Sequence, residues 1–161
     1  MKIGIKRKSR LSEFTIKEYG INGVLLAILF LLGLFLSWKL SWFVGLLYLV
    51  FWVASYAVLF AMTCRNCANY GKSCPVPLEG SCVQRFFNRG EKFGFMAGVG
   101  VLLAYFLRVC IPYVIIFQMG LALYFLLYTS VFVGFFYVLL YHTGCPNCIN
   151  TKCPFNPDYG T

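Results

Sequence analysis

Acid is what this chain has least of. Only five of its 161 residues are Asp or Glu, against fourteen Lys and Arg, and it has a single histidine. None of the five acids falls inside an apolar run, so the intramembrane carboxylate expected of a proton-driven transporter is missing. Hydrolytic chemistry likewise lacks most of its usual acids and bases. There is no H-E-x-x-H, no phosphate-binding or dinucleotide glycine loop, and no Ser/His/Asp set, which leaves metalloprotease, nucleotide and triad chemistries without their residues. No catalytic constellation is found, and enzymatic activity stays open only for redox work. Charge of either sign is scarce as well. With 12% charged, 60% hydrophobic and 19% aromatic residues, the chain cannot clothe a soluble core, since an average soluble domain is about 25% charged. It belongs in a bilayer.

Four apolar runs are present: Ile21 to Trp38, Leu40 to Met62, Phe93 to Phe117 and Met119 to Tyr141. Each is long enough to cross about 30 Å of hydrocarbon as a helix of roughly 20 residues. The basic start MKIGIKRKSR resembles a signal-peptide head, but no small-residue cleavage site follows the first run, so that run is expected to be retained. No lipidation box is present. The predicted fold class is an all-α integral membrane protein of four transmembrane helices, arranged as two parallel helix-hairpin repeats, each followed by a cytoplasmic cysteine knuckle. The divisions are a basic cytoplasmic or interfacial arm (1–20), a first repeat (21–82), an interfacial linker (83–92) and a second repeat (93–161).

Charge orients the chain. Residues 1–20 carry six positive and two negative groups and residues 63–92 carry five and two, whereas the turn at Lys39 holds one positive group. By the positive-inside rule the termini and cysteine segments face the cytoplasm of a cell membrane, with the turns at Lys39 and Gln118 outside. The net charge of +9 is thereby accounted for by insertion and anionic headgroups, and nucleic acid is not an expected partner. The arm itself reads as a solvated tail. Gly94 with Gly98, Gly100 with Ala104, Ala57 with Ala61 and Ser130 with Gly134 are four apart and supply candidate packing faces.

The chemistry lies between the runs. MTCRNCANYGKSCPVPLEGSC holds Cys64, Cys67, Cys74 and Cys82, and HTGCPNCINTKCPFNP holds His142, Cys145, Cys148 and Cys153. Aligned, both read C-x-N-C-x-N, a spacer of four residues or two, then C-P. The shared Asn66 and Asn147, Asn69 and Asn150, and Pro75 and Pro154 make the repeat stronger than a bare C-x-x-C. Asn66 and Asn147 are read as residues that tolerate a left-handed turn. Cytoplasmic thiols stay reduced, so metal ligation explains this crowding better than disulfides do. Soft thiolates select zinc, copper(I) or iron–sulfur chemistry. The candidate ligand sets are Cys64, Cys67, Cys74, Cys82 and Cys145, Cys148, Cys153, His142, giving about two zinc sites. The spacing matches no ferredoxin run, which leaves an iron–sulfur cluster as the alternative cofactor. The two C-x-x-C pairs facing each other across one shared centre is a further partition, and free redox thiols would need a depressed pKa supplied by Arg65 or Lys72.

Arg108 and Cys110 interrupt the third run. An intramembrane arginine is a functional position by default, but Arg108 falls in the outer part of the span, and snorkelling to the far interface is the reading adopted. Cys110 reads as a small packing residue. The functional expectation is a membrane scaffold or complex subunit with structural zinc, contacting lipid and a membrane-complex or soluble cytoplasmic protein partner. The alternative is a redox protein passing electrons to a soluble partner or a quinone.

Overall fold

The computed structural model describes residues 6–90, 93–153 and 155–159, so Lys2, Glu91, Lys92 and Pro154, all used in the sequence reading, lie outside the described residues. The architecture is helical throughout, with no strand among the described residues beyond one isolated bridge between Leu11 and Cys148. Helix α1 spans Ile16–Leu40 and begins five residues before the apolar run does. The cause is local: Thr15 and Glu18 form a capping box, with the Glu18 carboxylate accepting from the Thr15 N–H at 2.6 Å. This pairing satisfies donors that the first helical turn leaves bare. After a break at Ser41, whose hydroxyl accepts from the Phe43 N–H at 3.3 Å, α2 spans Trp42–Val58. It continues as a π-helical turn, Leu59–Thr63, and a 3-10 turn, Cys64–Asn66. A four-residue helix α3, Glu79–Cys82, lies in the first cysteine segment. Helix α4 spans Phe95–Met119 and ends on Gly120 at φ +62°, a backbone that glycine adopts without strain. Helix α5, Ala122–Tyr137, runs into a second π-helical turn, Val138–Thr143.

Four helical stretches, Ile16–Leu40, Trp42–Asn66, Phe95–Met119 and Ala122–Thr143, are long and apolar enough to cross a membrane. At 1.5 Å per residue they measure about 33–37 Å. Their outer faces carry large exposed apolar side chains, among them Leu31, Phe35, Val53, Leu102, Phe106 and Leu126, the side chains that hydrocarbon would solvate.

Helices α1 and α4 form the central pair, with α2 packed against both and α5 chiefly against α1. Helices α2 and α5 flank the central pair, and the cysteine segments meet beyond the helix ends. Gly33 of α1 allows the central crossing: a Cβ there would collide with the Tyr48 ring of α2 and lie 3.1 Å from Pro112 of α4. Of the proposed small-residue faces, Gly100–Ala104 is used, since Ala104 is fully buried and a Cβ on Gly100 would come within 2.6 Å of Met62. Gly94, Gly98 and Gly134 face open space, so those stripes are not interfaces within this chain.

Candidate functional site

Both cysteine segments are launched the same way. Each follows a π-helical turn, and in each the asparagine between the paired cysteines folds its amide back onto the carbonyl four residues earlier: Asn66 Nδ2 to Met62 O at 3.0 Å, and Asn147 Nδ2 to Thr143 O at 2.9 Å. Neither asparagine is left-handed, because the one non-glycine residue with positive φ among those described is Leu78. Their role is to cap a carbonyl that a widened helix end leaves unpaired.

The second asparagine of each motif does something different. Asn69 and Asn150 are almost fully buried, at 2% and 5% exposure, and they cross the seam between the segments. Asn150 Nδ2 donates toward Cys67 Sγ at 3.6 Å, and Asn69 Nδ2 toward Cys148 Sγ at 3.9 Å. The Asn150 backbone N–H also donates to Cys148 Sγ, at 3.4 Å. Residues 79 to 83 positions apart in sequence thus exchange reciprocal contacts.

Burial dominates the thiol chemistry. It pushes Cys145 up to about 12, reinforced by Cys153 and Cys148, and Cys148 up to about 11, eased by the Asn150 N–H and reinforced by Cys67 and Cys153. Cys67, Cys74 and Cys153 are raised by burial too, against backbone hydrogen bonds at Asn69, Val76 and Phe155 respectively. Thiols in this state are neutral near pH 7 and are poor nucleophiles. The depressed pKa that free redox thiols require is therefore absent at these five positions.

Among the described residues, no three His, Cys, Asp or Glu side chains are grouped closely enough to hold a metal ion. His142 is exposed, with its ring against Tyr137 at 5.2 Å and its carbonyl accepting from Lys8 Nζ at 3.3 Å. Cys82 packs on the apolar cluster of Leu59, Phe60 and Val83.

The first segment does not lie flat on the helix ends. Val76, with Cys74 against it, packs into the bundle's main core among Leu26, Tyr48, Trp52, Tyr105 and Phe135. Buried Asn22 of α1 donates both to Pro75 O and to Thr143 Oγ1 at 2.8 Å, tying this loop to both α1 and the end of α5. Deeper still, Glu79 meets Arg108. The Arg108 side chain has no exposed surface, and its Nη2 lies 3.5 Å from Glu79 Oε1. Its Nε donates to Ser55 Oγ at 2.9 Å, and its guanidinium carbon sits 5.1, 4.6 and 4.8 Å from the ring centres of Trp52, Tyr56 and Tyr105. Arg108 does not snorkel: it is held by a carboxylate, a hydroxyl and three ring faces, each attractive to a cation. Burial raises the Glu79 pKa, and the charge and hydrogen bond of Arg108 pull it back. The W-x-x-S-Y run of α2, which places Trp52, Ser55 and Tyr56 on one face of a helix, is the signal that could have revealed this box.

The amino-terminal arm is not a free tail either. Arg7 donates to Cys148 O at 2.7 Å, Asn156 Oδ1 at 2.7 Å and Asp158 Oδ2 at 2.5 Å, and Leu11 N to Asn147 O at 2.8 Å. Arg7 and Arg10 both draw the Asp158 carboxyl below its ordinary value, chiefly through the Arg7 hydrogen bond. The arm strapped over the second segment was invisible as a charge count.

Compared with protein-family models, with curated proteins and with solved structures, the chain matches none. Its functional reading therefore rests on these residues.

Proposed function

We propose that the chain is a multi-pass membrane protein whose two cysteine segments form one cytoplasmic, zinc-binding cap, acting as a non-enzymatic scaffold or subunit of a membrane complex. The observation that carries this reading is the reciprocal pair Asn69 to Cys148 and Asn150 to Cys67. Amide donors aimed at sulfur favour the thiolate, the form that binds metal. Cys64, Cys67 and Cys74 on one side and Cys145, Cys148 and Cys153 on the other hold equivalent positions in the two motifs. Two four-coordinate zinc ions need eight bonds, so six thiolates suffice when two are shared. Cys67 and Cys148, on the seam, are the pair placed to be shared. Among the described residues no three ligands are grouped, so binding draws the segments together. The anchoring of the first segment in the helix core favours a structural over an electron-transfer role, since a staple there stabilises the whole cytoplasmic end.

Metal analysis of anaerobically purified protein tests this. About two zinc ions per chain are expected, with Cys67→Ala or Cys148→Ala each emptying both positions and Cys82→Ala or His142→Ala emptying neither. Loss of one ion per variant would mean separate sites, completed by Cys82 and His142. Iron with near-equal acid-labile sulfide would overturn the scaffold reading in favour of the redox alternative.

Orientation has its own test. A reporter active only outside the cytoplasm is expected to give signal when fused at Lys39 or Gln118, and none when fused at the carboxyl end. Signal at the carboxyl end would contradict a cytoplasmic cap.

A further inference from the structure

Where the two cysteine segments meet, a cleft of about 210 Å³ is lined by residues 66–68, Arg89, Gly90, Phe93 and residues 149–152. Among the described lining residues, Arg89 from the linker and Lys152 from the second cysteine segment are exposed cations, and Asn66, Asn150 and Thr151 add amide and hydroxyl groups. Phe93, Ala68 and Ile149 supply apolar wall, and Cys67 lines it too. No carboxylate occurs among the described lining residues. Glu79 is buried against Arg108 instead. Arg89 and Lys152 make no ion pair among the described residues.

We infer that this cleft binds a phosphate group, gripped between Arg89 and Lys152, with the phosphate's organic remainder against Phe93 and Ile149. Two cations that line one pocket together with neutral donors and an apolar wall match the charge and hydrogen-bonding demand of a phosphate ester. Phe93 lies two residues before α4 begins, so the cleft sits where a helix would enter the bilayer and a lipid headgroup would lie. The same chemistry would be met by a small cytoplasmic phosphate ester. Because one cation comes from the linker and the other from the second cysteine segment, occupancy would also bridge these two stretches. The placement at a membrane surface rests on the function proposed above; the phosphate chemistry does not.

The test uses the full chain in mild detergent and in lipid nanodiscs. Glycerol 1-phosphate is expected to raise the unfolding temperature in detergent, where sodium chloride at matched ionic strength does not. Arg89→Gln and Lys152→Gln are each expected to weaken that effect roughly tenfold in the concentration required. Arg85→Gln, an exposed cation outside the cleft, is expected to leave it unchanged. In the second arm, mass spectrometry of protein released from nanodiscs containing phosphatidic acid is expected to show one retained anionic lipid, lost in the same two variants. Retention of lipid without a glycerol-phosphate effect assigns the site to a headgroup, and the converse assigns it to a soluble ester. Either supports the inference. If neither probe responds to Arg89 and Lys152, or if chloride matches phosphate, the inference fails. Zinc content is measured on the same preparations: it is expected to be unchanged by Arg89→Gln and Lys152→Gln, so loss of phosphate binding and loss of metal are read separately.

Discussion

Arg108→Met is expected to destabilise the protein by about 3–5 kcal/mol, the range for removing one partner of a buried ion pair. Methionine fills much of the volume inside the ring box, so the loss is electrostatic more than steric. It leaves Glu79 buried with no cation to offset its burial. That carboxyl must then take up a proton or drag the loop out of the bundle. The double variant Arg108→Met/Glu79→Gln separates these costs. With the charge gone from both sides, more than half of the lost stability is expected to return. Chemical unfolding in detergent, followed by the fluorescence of the three tryptophans, measures each variant. An arginine that snorkelled to an interface would give a change within about 0.5 kcal/mol, as surface substitutions do, and would show no rescue.

Gly80→Ala is expected to cost roughly 3 kcal/mol, at the upper end for an overpacked site. A Cβ at this position collides with the Lys72 carbonyl oxygen and lies 3.0 Å from that of Asn69, both backbone atoms with no rotamer to yield. Gly80 also accepts a hydrogen bond from the Gly71 N–H at 2.9 Å, closing the loop that carries Cys74. Moving the Asn69–Lys72 strip disturbs the Asn69 amide that crosses to Cys148. The variant is therefore expected both to lower stability and to expose Cys148 to alkylation. Gly134→Ala, which faces open space, serves as the control and is expected to change neither. Equal behaviour of the two variants would show that the loop is pliant and that the seam does not depend on Gly80.

Length, apolarity and charge sign were enough to reveal the four long helices, because a segment with almost no polar side chains has few places to be except against hydrocarbon or other apolar helices. Even the early start of α1 was written locally, in Thr15 and Glu18. The shared asparagines were also legible as a pattern. Their division of labour was not: Asn66 and Asn147 cap their own helix ends, whereas Asn69 and Asn150 reach across to the other segment, a contact over about 80 positions that no local spacing encodes. Arg108 shows the limit most clearly. Counted along its own helix, it lay within reach of an interface, the ground for the snorkelling reading. Only the tertiary structure brings Glu79 from a loop 29 residues away, together with Ser55 and three aromatic rings from two helices. A charge's burial depends on what surrounds it in space. The sequence by itself therefore determined the four long apolar helices, through local hydropathy and residue type. The tertiary structure alone decided that the first cysteine segment enters the bundle, that the arm straps the second, and that the two meet along one seam, because each depends on pairing between groups distant in the chain.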